Sequence, residues 1–266
     1  MILDVLSGFA AFILLCISAG VGRYIQPRLR DDHRNRETVE AMQITIGMLV
    51  TLTALVLGLL TASVKGAYDK AGNDLQAYAL DLTQLDQCLR DYGVGAEAAR
   101  DLIKGYTAAL IASTWASEPP PVGVNYGDTS GVSRIGPSRV LADQLRRVHL
   151  ELRRLQPADA FQSGARDDCI VDYRNVVSGH LTAIEDDRLP VTGPFDFILV
   201  FWLMVIFATF GLIAPRNTVS LIGIALCGIS LALAIFVILH LSKSYFVSFS
   251  SADMRAALSS MMAPVR

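Results

Sequence analysis

The sequence predicts an all-α integral membrane protein with four transmembrane helices and a helical extramembrane insert between the second and third. The 266 residues are 52% hydrophobic and their mean hydropathy is +0.43, which is too apolar for a soluble domain of this size. Residues 65–192 show helical periodicity without a credible strand pattern. The apolar residues cluster in four runs that approach or exceed the roughly 18–20 residues needed to cross a hydrocarbon core: 2–22, 42–64, 195–214 and 218–241.

The first run is predicted to be a retained membrane helix. It starts MILDVLSGFA, where Asp4 stands in place of the basic residues of a secretory signal. The positive-inside rule makes the polar linker that follows cytoplasmic, because it is rich in arginine: Arg23, Arg28, Arg30, Arg34 and Arg36. With four spans, both termini and the insert are then predicted in the periplasm, and the protein in a bacterial inner membrane.

The second run passes without a proline into an amphipathic pattern. One helix is therefore predicted to leave the membrane and continue to about Tyr92, where YGVG ends it. Further insert helices are predicted over 96–117, from the N-cap Ser138 to just before Pro157, and over 165–189. The chain then divides into a first transmembrane hairpin, the insert, a second hairpin and a C-terminal amphipathic segment: 1–64, 65–192, 193–243 and 244–266.

Two cysteines of the insert are predicted at the same height above the membrane. Cys88 lies 24 residues beyond position 64 and Cys169 lies 24 residues before position 193, each equivalent to about 36 Å of helix. If both helices leave the bilayer as an antiparallel pair, the cysteines can form a disulfide, which is typical of an oxidising compartment. The alternative is two buried free thiols whose heights match by coincidence. The same matching places Lys70 level with Asp187.

The sequence predicts neither a catalytic nor a metal site, and no cofactor. It contains no HExxH, GxSxG, Walker, Rossmann or CxxC motif, and its four histidines are scattered. An enzyme is therefore not expected. The net charge of −2 and the pI near 6.1 give no support for nucleic-acid binding.

Small and polar residues line one face of the second run. This stripe could pack against another membrane helix, which is the commonest use of small residues there, or it could form the wall of a pore. Lys65 at its end could supply a positive pore mouth in a symmetric oligomer. The stripe recurs every three or four residues: Gln43, Gly47, Thr51, Ala54, Gly58, Thr61 and Lys65.

Two segments resemble the bacterial bestrophin-like domain family, formerly a domain of unknown function. These are IGMLVTLTALVLGLLTASVKGAYDKAGNDLQAYALDLTQL, with the Tyr68-Asp69 step after an apolar span, and FVILHLSKSYFVSFSSADMRAAL, with its Ser-start helix. The second segment departs from the family pattern, because Ser244, Tyr245 and Phe246 replace the Pro-Phe core. The resemblance implies kinship with bestrophins, which are pentameric anion channels with four membrane helices per subunit and a cytoplasmic helical insert.

Two functions remain open at this stage. The first is a homo-oligomeric, bestrophin-like ion channel in the lipid bilayer, with a small anion as the transported species. The second is a non-conducting membrane receptor or scaffold that presents a periplasmic helical stalk to a partner. The bestrophin insert is cytoplasmic, whereas the arginine linker and the paired cysteines favour an insert outside the cytoplasm.

Overall fold

The computed structural model describes residues 2–28, 36–127, 138–188, 193–242 and 249–263. Within these ranges the protein is helical and contains no strand, which confirms the prediction of an all-α protein. A short 3-10 turn, Gln26–Arg28, extends the first helix. The helices are α1 (Ile2–Ile25), α2 (Arg36–Tyr92), α3 (Glu97–Thr114), α4 (Arg139–Arg154), α5 (Ala160–Arg188), α6 (Gly193–Ile213), α7 (Thr218–Ser242) and α8 (Ala252–Met262).

Helix α2 is a single helix of 57 residues, about 86 Å long. It ends at Tyr92, as predicted, because Gly93 and Gly95 adopt φ values of 87° and 106° that other residues rarely reach. The predicted N-cap of α4 is also confirmed, since the Ser138 hydroxyl accepts from the Leu141 N–H at 3.5 Å. The α5 helix starts at Ala160, five residues earlier than predicted.

Three helical stretches among the described residues are long and apolar enough to cross a membrane: Gly8–Arg28, Glu37–Tyr92 and Thr218–Ile238. Phe197–Ile213 is a shorter apolar stretch within α6, which has 21 residues in all. These stretches support a membrane protein.

The chain divides into two compact units. The apolar unit comprises 1–68 and 190–243, and the insert unit comprises 69–189 and 244–266. The C-terminal segment, which the sequence analysis sets apart, therefore belongs with the insert.

The apolar unit is built on a close contact between α1 and α6. Ser18 donates to the Met204 carbonyl at 2.5 Å, and Gln26 donates to the Ala214 carbonyl at 3.1 Å. Both bonds satisfy polar groups in an otherwise apolar interface. The core of the unit draws on all four helices: Leu15, Leu60, Val64, Leu203, Phe207 and Ile235.

The insert unit has α3 at its centre. Eleven of its eighteen residues are buried, among them Ile103, Tyr106 and Leu110. The amphipathic α4 packs on α3 and α5 through one apolar face: Leu141, Leu145, Val148 and Leu152. Burial of these faces, with those of α2 and α5, gives the unit one continuous core.

Helix α8 completes the core of the insert unit. The Trp115 indole donates to the Phe249 carbonyl at 2.7 Å, just before α8 begins. At the other end of α8, Arg90 donates to the carbonyls of Ser260 and Met261 at 2.7 and 2.9 Å. These carbonyls lie in the last turn of α8, where helix acceptors commonly lack a partner. Arg90 supplies a donor to both, and the Ser260 carbonyl also accepts from the Ala263 N–H at 3.3 Å.

Candidate functional site

The membrane-depth part of α2 carries three distinct faces. One face packs into the core of the apolar unit through Ile46, Thr53, Leu60 and Val64. The second face exposes large apolar side chains suited to lipid: Ile44, Met48, Leu52, Leu55 and Leu59. The third face is the small and polar stripe, and all seven of its residues are exposed within the subunit: Gln43, Gly47, Thr51, Ala54, Gly58, Thr61 and Lys65.

The small residues of the stripe are not packed against other described residues of the subunit. A Cβ atom built on Gly47 or on Gly58 would meet nothing within 4 Å. The hydroxyls of Thr51 and Thr61 donate to carbonyls one turn back in α2, at 2.9 and 2.7 Å. Within the described part of the chain, the stripe therefore faces outward from the subunit.

The stripe is long enough to line a bilayer from side to side. Gln43 and Lys65 are 22 residues apart, which corresponds to about 33 Å of helix. The exposed Lys65 lies at one end, with its ammonium nitrogen 5.7 Å from the ring centroid of Tyr68. This distance allows a cation–π interaction between the two side chains.

The two cysteines of the insert are joined in the structure. A disulfide links Cys88 on α2 to Cys169 on α5, with Cα atoms 5.5 Å apart. Cys16 and Cys227 are free. The disulfide makes α2 and α5 neighbours at the level of these cysteines, which are 81 residues apart in sequence.

A charge pair fixes the register of α2 against α5. Lys70 bonds Asp186 at 2.8 Å and Asp74 at 2.7 Å. The partner predicted by height is Asp187, whose side chain lies outside the described residues. One residue of helix turns a side chain by about 100°, so height alone does not select the partner.

The structure contains a buried row of three hydrogen-bonded side chains that the sequence analysis does not predict. The hydroxyls of Tyr78 and Tyr106 are hydrogen-bonded, and the Tyr106 hydroxyl lies 3.0 Å from Nδ1 of His180. Burial lowers the pKa of His180 below its ordinary value. The apolar periodicity of α2 includes Tyr78, so the sequence could indicate that Tyr78 is buried. No sequence pattern indicates that its partners come from α3 and α5.

Within the described ranges, no group of three or more His, Cys, Asp or Glu side chains is arranged to hold a metal ion. Two further features of the sequence analysis fall outside those ranges. They are the linker arginines Arg30 and Arg34 and the tail segment with Ser244, Tyr245 and Phe246.

A family model described as the Bestrophin-like domain matches residues 12–246. No curated protein and no solved structure matches the chain. The matched range runs from the middle of α1 to the end of α7, and it includes the exposed stripe of α2 and the disulfide-linked pair α2 and α5. Because the match covers most of the sequence, the chain belongs to the Bestrophin-like domain family.

Proposed function

We propose that the protein is a homo-oligomeric ion channel of a bacterial inner membrane, in which the stripe faces of α2 surround the ion path. One observation carries the proposal: the stripe is exposed along its whole length in the subunit, while a separate face of α2 offers large apolar side chains. Membership of the Bestrophin-like domain family supports the same function.

The difference between the two exposed faces supports different surroundings for them. Large aliphatic side chains such as Leu55 and Leu59 suit lipid tails, whereas the Gln43 amide is costly to expose there. Small residues and hydroxyls leave room for water near the axis of a ring. A ring of Lys65 ammonium groups at one mouth attracts anions and repels cations, so the species that passes is a small anion.

The proposed topology has four spans, formed by α1, the first part of α2, α6 and α7. The arginine-rich linker is cytoplasmic, and the insert unit is periplasmic. The Cys88–Cys169 disulfide supports this side, because such bonds persist in oxidising compartments.

Thiol labelling tests the topology. In cells lysed under denaturing conditions, a maleimide reagent should modify Cys88 and Cys169 only after reductant is added. The Cys88→Ser variant is the control, because it frees Cys169 for labelling without reductant. Full labelling of the wild-type pair without reductant would instead place the insert in the cytoplasm.

Ion flux tests the channel. Purified oligomer in liposomes should pass chloride, and Lys65→Glu should shift the selectivity toward cations by reversing the charge at the mouth. Arg174→Glu is the matched control, because it makes the same charge change on an exposed site of α5 and should leave selectivity unchanged. An intact oligomer that passes neither anions nor cations would refute the channel.

The alternative is a non-conducting receptor or scaffold, and the insert unit supplies the observation that favours it. This unit has its own continuous core and a disulfide between two of its helices, which makes it suited to present a fixed surface. Crosslinking in cells should then recover the same partner repeatedly, together with an absence of flux. Ion flux through the purified protein would contradict a non-conducting receptor or scaffold.

A further inference from the structure

An acidic groove runs along α2 and α5 in the insert unit. It has a volume of about 680 Å³, and its lining includes three carboxylates, two amides and one aromatic ring: Asp91, Asp168, Asp172, Gln84, Gln87 and Phe161. A second hollow of about 280 Å³ contains Asp81 and Asn175 in its lining. Neither is lined by a lysine or an arginine, so the surface carries a one-sided charge.

The carboxylates of this groove are not neutralised within the described part of the subunit. No described lysine or arginine forms an ion pair with Asp81, Asp168 or Asp172. Partial burial, and then the neighbouring carboxylate, raises the pKa of Asp81 and of Asp172. A cation brought into the groove would relieve this repulsion.

The outer face of α4 has the opposite charge. Its inner face packs into the core of the insert unit. The remaining face exposes one carboxylate, Asp143, and five arginines: Arg139, Arg146, Arg147, Arg153 and Arg154. Arg154 is paired with Glu151 at 2.7 Å, but no described carboxylate forms an ion pair with Arg146 or Arg147. Leu150, 44% exposed, adds an apolar side chain to this face.

We propose that the arginine face of α4 in one copy of the chain docks on the acidic groove of the next copy. The basic and acidic surfaces are different parts of the same unit, so the contact is head-to-tail and can repeat around a closed ring of copies in one membrane. The inference rests on the proposed function, because it assigns the contact that holds the channel subunits in order.

Charge complementarity selects a second copy as the occupant, because the chain itself supplies both surfaces at equal concentration. Exposed ion pairs are individually weak, so their role is to set the orientation and the register of neighbours. The apolar anchors Phe161, 73% exposed, and Leu150 supply area that does not depend on charge. Confinement in one membrane raises the effective concentration at which these contacts form.

Charge reversal of the full-length protein in nanodiscs or detergent tests the contact. The basic variant is Arg146→Glu with Arg147→Glu, the acidic variant is Asp168→Arg with Asp172→Arg, and the third combines all four. Subunit number is measured by light scattering. Each double variant should reduce the assembled fraction by about tenfold or more, since like charges then meet, and the combination should restore it.

The matched control is Asp101→Arg with Asp253→Arg, which changes charge by the same amount as the acidic variant at exposed sites outside the groove. It should assemble like the wild type. Helical circular dichroism and an intact Cys88–Cys169 bond verify the fold of each variant. Raising the salt concentration should weaken the wild-type contact, because exposed charges are screened.

A direct readout comes from Arg147→Lys, which provides an amine for a zero-length carbodiimide crosslink. The crosslink should join Lys at this position to Asp168 or Asp172, and mixed isotope labelling should show that it joins two copies. Crosslinks confined to one copy would overturn the contact.

The remaining outcomes separate this inference from the channel. Folded reversal variants that assemble normally, or a combined variant that does not recover, overturn the contact alone. An intact wild-type ring without flux overturns the channel alone. A wild-type protein that is monomeric overturns both.

Discussion

At the scale of single residues, a buried carboxylate that is paired with two arginines helps to specify the insert unit. The Asp86 side chain is only 3% exposed and accepts from Arg90 Nε at 2.7 Å and Arg100 Nε at 3.0 Å. It thereby joins the end of α2 to the start of α3 across the turn. A carboxylate at this depth persists because two guanidinium groups compensate its loss of water.

Asp86→Asn should destabilise the insert unit by about 3 kcal/mol, because two largely buried arginines lose their counter-charge. Hydrogen exchange of the full-length protein measures the effect as faster exchange at the α2–α3 turn. Asp101→Asn is the control, since Asp101 is 78% exposed and its pair with Lys104 should contribute well under 1 kcal/mol. Equal exchange in both variants would contradict the assigned role of Asp86.

The Tyr78–Tyr106–His180 chain predicts a pH dependence. Burial favours the neutral form of His180, so the pKa of His180 in the folded protein lies below 6.5. In the unfolded chain the pKa returns to this ordinary value. Stability is therefore complete above about pH 6.5 and declines as the pH falls from there toward the folded pKa, because only the unfolded state binds the proton.

His180→Gln should flatten this decline, because glutamine keeps a side-chain acceptor near Tyr106 and does not titrate. The measurement is hydrogen exchange of α3 between pH 7.5 and pH 5, corrected for the intrinsic exchange rate. His149→Gln is the control and should keep the wild-type slope. A decline that persists unchanged in His180→Gln would assign it to another group.

At the scale of helices, α1 and α6 approach so closely that each requires a glycine. A Cβ on Gly22 would lie 1.9 Å from the Ala208 carbonyl oxygen, and one on Gly211 would lie 2.0 Å from the Ala19 oxygen. The contact is reciprocal and involves backbone, which cannot move aside as a side chain can. In lipid the hydrophobic effect does not drive helices together, so close van der Waals packing of this kind supplies the attraction between them.

Gly22→Ala should force the two helices apart and cost about 1–3 kcal/mol or more. Size-exclusion chromatography after heating should show a lower thermal midpoint for the purified protein. Gly20→Ala is the matched control in the same helix, because a Cβ there meets nothing within 4 Å. It should equal or slightly exceed the wild type, since alanine favours helix. Equal losses in the two variants would contradict the close contact.

At the scale of the whole molecule, the last helix of the chain belongs to the unit formed by the middle of the chain. Met254, Leu258 and Met261 of α8 are buried in the insert core. Arg255 adds an ion pair to Glu118 at 3.2 Å and a bond to the Pro119 carbonyl at 2.6 Å. The insert unit therefore depends on residues that follow the second hairpin.

Leu258→Asp should detach α8 from the insert unit, because an unpaired carboxylate would replace a leucine that is 5% exposed. Hydrogen exchange of α3 should accelerate, corresponding to a loss of about 3 kcal/mol. Ser259→Asp introduces the same charge at the next, exposed position and should leave α3 protected. Unchanged protection in Leu258→Asp would show that α8 is not needed for the core.

The sequence by itself determined the helices, the end of α2 at Tyr92 and the N-cap at Ser138. It also placed Cys88 and Cys169 at one height, because the rise per residue of a helix is fixed. These features depend on residues near each other in sequence or on a constant repeat. Only the tertiary structure decided that Asp186 pairs with Lys70, that the α2 stripe is exposed in the subunit and that α8 packs on α3. Periodicity reports which face of a helix is apolar, small or charged, but the surface that covers this face comes from a distant part of the chain.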